Sequence, residues 1–192
     1  MQPIDDYLER SLCLPEAEFV ASLPRGVLLA EPDAPAGEPA TTPPKPTKLE
    51  VEERDEIPTW MRGARVTGNE VIFVLPLIKR EGAALPDRIL IGRTAENDLA
   101  IPHLTISRAH AYLTFDGERP VLVDTGSKHG TRIREQRLEP GKPYPLTTGV
   151  RIQFGSIRTM YLSASRFFQY CQARTIADHA QRTIDGAISY KP

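Results

Sequence analysis

Residues 88–133 decide the fold: RILIGRTAENDLAIPHLTISRAHAYLTFDGERPVLVDTGSKHGTRI. Short apolar or alternating runs (RILIGR, HAYLTF, VLVD, TRI) take turns with polar, glycine-containing loops. In HAYLTF, Ala111, Leu113 and Phe115 fall on one side and His110, Tyr112 and Thr114 on the other, the two-residue period of a half-buried strand. The loops hold three clusters: Gly92-Arg93 followed by Asn97-Asp98; Ser107-Arg108-Ala109-His110; and Asp124 through Thr131. Basic, hydroxyl-rich loops gathered at one end of a sheet sandwich suit an anion. Arginine offers paired planar donors to a phosphate, and serine and backbone N–H groups add short directional ones.

Working outward, NEVIFVLPL lies upstream, and VRIQF and IRTMYLS lie downstream. Turn signals separate the runs at Asp116-Gly117, Gly126, Gly141, Gly149 and Gly155. Many short strands at this spacing predict a mainly β chain, a sandwich or barrel. After Leu162 the period lengthens: Ser163 is a candidate cap, and Ala177, Ala180, Ile184, Ala187 and Ile188 sit at helical spacing. Phe167 and Phe168 would pack near the start of that helix. Near the N-terminus, Ile4, Tyr7, Leu8, Ser11 and Leu12 share one helix face, and Pro15 opens a second short helix with Phe19, Val20 and Leu23 together. Helices this short need a surface to dock on. Residues 31–46 (EPDAPAGEPATTPPKP) contain six prolines and no large apolar side chain, the composition of an extended linker. The expected organisation is a short helical segment over 1–30, a Pro-rich acidic linker over 31–64, a β domain over 65–163 and a helical extension over 164–192.

Composition narrows the class. The chain has 192 residues, 26% of them charged, and 18 prolines. Its longest apolar run, Val71 to Leu77, is far too short to cross a bilayer. The opening MQPIDDYLER lacks the basic and apolar regions of a signal peptide, and two cysteines cannot frame a disulfide scaffold. The expectation is a cytoplasmic protein with no membrane partner. Residues 1–64 carry six basic against thirteen acidic residues, and residues 65–192 eighteen against twelve. A basic back half points to an anionic partner or to a contact with the acidic front half.

The stretch GRTAENDLAIPHLTISRAHAYL, then DTGSKHGTRI, then L-x-x-G-x-x-I-x-F-G over Leu146 to Gly155, resembles a forkhead-associated (FHA) domain across about residues 68–163. The resemblance implies an eleven-stranded β-sandwich that binds phosphothreonine peptides through loops at one end. Position by position, it implies that Arg93 contacts phosphate, that Ser107 binds it through hydroxyl and backbone, that Arg108 adds charge and that Lys128 reaches it. Thr105 belongs to the same peptide-binding loop. Gly92, His110, Gly130 and Thr131 shape the site. Position 129 departs from the pattern: the family usually has asparagine there, bonding the ligand backbone. The imidazole of His129 keeps a donor and an acceptor but is bulkier, which puts peptide affinity and sequence preference in question.

The resemblance implies a signalling or scaffold module acting downstream of a Ser/Thr kinase, with a phosphothreonine-containing protein, the kinase or its substrate as partner and no cofactor. Two alternatives stay open. One is an FHA fold used as a phospho-independent assembly module, which His129 suggests. The other is a regulator closed by phosphorylation of its own linker at Thr41, Thr42, Thr47 or Thr59. An enzyme is disfavoured: no G-x-S-x-G elbow surrounds Ser107, no P-loop or kinase signature occurs, and His103, His110, His129 and His179 lack metal-ligand spacing. Nucleic acid is disfavoured too, because the basic excess is modest and no aromatic ladder is evident for base stacking.

Overall fold

The structure, a computed structural model, describes residues 2–23, 25–30, 72–82 and 85–188. The strands build two antiparallel-rich sheets packed face to face. One sheet contains β4 (Ile89–Gly92), β5 (Leu99–Ala100), β6 (Ala111–Asp116), β7 (Arg119–Asp124) and β10 (Tyr144–Pro145), in the order β10-β7-β6-β4-β5. The other contains β1 (Gln2–Pro3), β2 (Val27–Ala30), β3 (Phe73–Pro76), β8 (Thr131–Ile133), β9 (Gln136–Arg137), β11 (Arg151–Phe154) and β12 (Ile157–Leu162), in the order β1-β3-β2-β12-β11-β8-β9. The result is the eleven-stranded sandwich with one two-residue edge strand, β1, added from the N-terminus.

Alternation along the strands builds the core between the sheets. Ile89, Ile91, Leu113 and Leu122 from one sheet meet Leu28, Leu75, Ile152, Phe154 and Tyr161 from the other. Period-2 side chains can do this only with the register observed, because a one-residue slip would turn every apolar side chain to water. Ala111, Leu113 and Phe115 face this core as the alternation predicts, and so do Ile152 and Phe154.

Three helices cover part of the outer face of the seven-stranded sheet: α1 (Asp5–Cys13), α2 (Glu16–Ala21) and α3 (Ala164–Ile188). Ile4 and Tyr7 lead into and line α1, Phe19 lines α2, and Phe167 and Cys171 line α3. All pack onto Val27, Leu29, Val74, Met160 and Leu162. Tyr7 meets Phe167 edge-on with ring centroids 5.3 Å apart, and Phe19 meets Phe168 at 5.2 Å. Pro15 precedes α2 as expected, and at the start of α3 Ser163 Oγ accepts the Arg166 N–H at 3.4 Å while its carbonyl accepts the Phe167 N–H at 2.8 Å. The short N-terminal helices therefore find their docking surface on the sandwich itself.

One feature differs from the sequence expectation. Val27–Ala30, read within a helical segment, is an interior strand, paired with β12 on one side and β3 on the other. All four of its residues are buried, so Val27 and Leu29 serve the helical cap while Leu28 and Ala30 serve the sandwich. A run of four apolar residues buried on both faces shows no alternation, which explains why periodicity passed over it. Consequently residues 31–71 join two neighbouring antiparallel strands of one sheet, with Ala30 opposite Phe73. The predicted linker over 31–64, its threonines and the domain start near Arg65 lie outside the described residues.

Candidate functional site

Strand register brings the three loop clusters to one end of the sandwich. Gly92 ends β4, Thr131 opens β8 and pairs with Phe154 at the end of β11, and the β6–β4 pair brings Ala111 beside Ile91. The loops are then bonded to one another. The Arg93 N–H donates to the Ser107 carbonyl at 2.9 Å, and the Lys128 N–H donates to Ser107 Oγ at 3.0 Å. Thus Arg93, Ser107 and Lys128, distant in sequence, share a hydrogen-bonded junction. Ser107 is half-buried, whereas Arg93, Arg108, Lys128 and His129 are exposed.

Behind this junction lies a rigid polar support. Asp124 is 1% exposed and accepts four hydrogen bonds. Its donors are the Gly126 and Ser127 N–H groups at 2.8 and 2.9 Å, Ser127 Oγ at 2.7 Å and Thr131 Oγ1 at 2.6 Å. Burial alone would raise its carboxyl pKa, but these bonds from Thr131, Ser127 and Gly126 outweigh burial and hold it below the ordinary range. Asp124 thereby sets the curvature of the loop that presents Lys128 and His129. Asn97, also buried, ties the other two loops together: its Nδ2 donates to the Thr94 carbonyl at 3.0 Å and to the Arg108 carbonyl at 2.7 Å.

His110 is fully buried under the loops and packs against Phe154. Its Nδ1 accepts the Ser107 N–H at 3.0 Å, which places the ring proton on Nε2, toward the Gly130 carbonyl but outside bonding geometry. Burial holds its pKa below the ordinary imidazole value, partly offset by the nearby Asp124 carboxylate. Ser107, His110 and Asp124 do not form a hydrolytic relay. His110 faces the backbone of Ser107, and the bonds of Asp124 go to Gly126, Ser127 and Thr131.

Two glycines have steric reasons. A Cβ on Gly92 would run into the Arg108 carbonyl and the Asn97 amide, so only glycine lets these loops close. Gly130 has φ +78, and a Cβ there would lie 2.7 Å from Nε of Arg137. Thr105 Oγ1 is already engaged by His103 Nδ1 at 2.9 Å, by Ser156 Oγ at 2.9 Å and by the Ser156 N–H at 3.0 Å, so it braces its loop against the β11–β12 turn.

Sequence reasoning missed several of these residues. Asp124 stood in the third loop cluster without a role of its own, although a carboxylate followed by Thr-Gly-Ser is itself a loop-capping signal. Asn97 stood in the first loop cluster without its bridging role, because its partner Arg108 is distant in sequence; Arg137 gave no local signal, because its contact with Gly130 is made between neighbouring segments. Asp98, in the same loop cluster as Arg93, bonds Lys79 at 2.7 Å and the Leu90 and Arg80 N–H groups.

Residues 89–155 match the model of the FHA domain family. The oxoglutarate dehydrogenase inhibitor of Corynebacterium jeikeium is 33% identical over 75 residues, which cover 39% of this chain and 50% of that protein. The human nuclear inhibitor of protein phosphatase 1 is 36% identical over 75 residues, covering 38% of this chain and 21% of that one. The chain thus spans about half the length of the first relative and about a fifth of the second. Mycobacterium tuberculosis EmbR, solved with a low-affinity phosphopeptide, superposes with a TM-score of 0.39 at 20% identity over 49% of this chain and 22% of its own. The FHA match over residues 89–155 takes in the same three loops that Ser107, Asp124 and Asn97 knit together.

Proposed function

We propose that this protein reads phosphothreonine on a partner protein marked by a Ser/Thr kinase, and that it does so by binding alone, without a catalytic step. One observation carries the reading. Three loops are locked together through Ser107, leaving Arg93, Arg108 and Lys128 exposed beside it with no ion pair to a carboxylate among the described residues. A phosphate dianion placed there meets charge-assisted donors already fixed in position. Ser107 Oγ accepts the Lys128 N–H, so its own proton points outward to a phosphate oxygen. Arg93 supplies the planar paired donors, and Arg108 and Lys128 add positive charge. His129 stands beside Lys128, where its ring faces the ligand backbone. Leu104, 84% exposed on the loop before Thr105, offers an apolar contact to a residue following the phosphothreonine. Gly92, His110, Gly130 and Thr131 hold the loops in shape.

The test is calorimetry with the best peptide from an oriented phosphothreonine library, alongside its unphosphorylated form and the Arg93→Ala variant. Micromolar binding that needs both the phosphate and Arg93 supports the reading. Equal binding of the two peptide forms overturns it in favour of a phospho-independent assembly role.

Chain connectivity favours a second reading, in which the protein's own phosphorylated threonine competes for the site. Residues 31–71, with Thr41, Thr42, Thr47 and Thr59, leave from Ala30, which pairs with Thr159 close to the β11–β12 turn that braces Thr105. Eleven residues of extended chain reach up to about 35 Å, well beyond the roughly 14 Å of three strand spacings that separate β2 from β8. Phosphorylation of this segment should then weaken binding of an external phosphopeptide; unchanged affinity removes this reading.

A further inference from the structure

The outer face of the seven-stranded sheet is apolar where the helices cover it and basic where they do not. Register places Arg137 directly opposite Arg132, Arg132 opposite Gln153, and Gln153 opposite Arg158. Directly paired residues point to the same face. That face is outward, because Ile133, Ile152 and Phe154 take the alternate, inward positions. Arg151, two residues before Gln153, lies on the same face, and Arg134 follows β8. Glu135 is the one acid within residues 131–137 and 151–162. Among the described residues, Arg132, Arg137 and Arg158 form no ion pair.

Two arginines directly opposed across a strand pair repel each other, an arrangement that stability alone disfavours. The row also has a definite place. Arg137 lies over Gly130, the glycine that closes the loop presenting Lys128 and His129. The row therefore begins at the edge of the phosphate site and runs away from it across β9, β8, β11 and β12.

We propose that this arginine row is a second anionic subsite, which takes a stretch of acidic side chains flanking the phosphothreonine of the partner. The proposal rests on the phosphothreonine reading above and adds a class of partner sequence to it. From β9 to β12 the row crosses three strand spacings, roughly 14 Å, which about four to five residues of extended peptide cover. An acidic peptide suits the row better than a nucleic acid, because the face offers arginine and glutamine and no aromatic ring for a base to stack on.

The experiment uses the full chain and fluorescence anisotropy with a phosphothreonine peptide in neutral flanks and two versions with four Asp/Glu residues on either side. Each acidic version is also made with plain threonine, and an oligouridine RNA is added. One acidic phosphopeptide should bind about five- to twentyfold more tightly than the neutral one, as two or three exposed charge pairs would give. That gain should vanish in the Arg132→Gln/Arg158→Gln variant, while affinity for the neutral phosphopeptide stays unchanged. Its melting temperature should stay equal or rise, since like-charge repulsion is relieved. Acidic flanks that add nothing on either side, or a gain that survives in the variant, overturn the proposal. Tighter, arginine-row-dependent binding of the RNA overturns it as well. Failure of the phosphate reading looks different: each acidic peptide would bind equally with and without its phosphate.

Discussion

The loop end and the helix-covered face of this protein are held by different forces. At the loop end, Asp124, Asn97, His110 and Ser107 are joined by directional hydrogen bonds, and the charged side chains they position stay exposed. Under the helices, Tyr7, Phe19, Phe167 and Met160 pack together in a second apolar cluster. Hydrogen bonds fix geometry but add little net stability each, whereas buried aromatic area adds much stability and little directional precision. The two regions thus divide the work: one fixes the loops of the candidate site, the other keeps the N-terminal segment and α3 attached to the sheet.

Phe167→Ala should give the largest effect. Phe167 is fully buried against Tyr7 and Phe19, and its loss should cost about 3–5 kcal/mol of stability. In denaturant titrations the variant should unfold early, yet its folded fraction should bind phosphopeptide with unchanged affinity. Arg93→Ala should do the reverse, leaving the melt in place and costing about 2–5 kcal/mol of binding, read by calorimetry. If both variants lose stability and affinity together, the division is wrong.

Asp124→Asn sharpens the boundary. The amide cannot accept all four hydrogen bonds, so roughly 2–3 kcal/mol of stability should go together with binding, because the loop that carries Lys128 loses its anchor.

Acidification should act first on the loop end. His110 is held below its ordinary pKa, so between about pH 6.5 and its folded value the unfolded chain takes up a proton that the fold excludes. Stability contributed by neutral His110 is complete above about pH 6.5 and declines below it, by at most about 1.4 kcal/mol per pH unit. Asp124, also lowered, adds a second loss as pH falls below about 4. Urea midpoints for the wild type and His110→Gln from pH 7.5 to 5 check the first step, which should be absent from the variant.

The smallest expected effect belongs to His129→Asn. Restoring the usual amide should improve peptide affinity by about 1 kcal/mol without moving the melt. An unchanged affinity would mean that the imidazole already serves the ligand backbone.

The two regions were also unequally legible in sequence. Strands with alternation, such as HAYLTF and VRIQF, and loops with unusual composition, such as Ser107 to His110, announce themselves locally. Val27–Ala30 does not, because an interior strand covered on both faces is uniformly apolar. The two-residue strands β5, β9 and β10 are too short to show any period. Arg93, Ser107 and Lys128 were legible as a set only because the loop motifs stand in family order. The link from Asn97 to Arg108 and the contact of Arg137 with Gly130 join residues distant in sequence, which no local pattern encodes.

The most direct test of the central claim is an amide chemical-shift map of the full chain, titrated with one phosphothreonine peptide and then with its unphosphorylated form. The account predicts large, phosphate-dependent shifts at Arg93, Ser107, Arg108 and Lys128, with the helix residues around Tyr7 and Phe167 unmoved. Shifts concentrated under the helices, or identical for the two peptides, would contradict it.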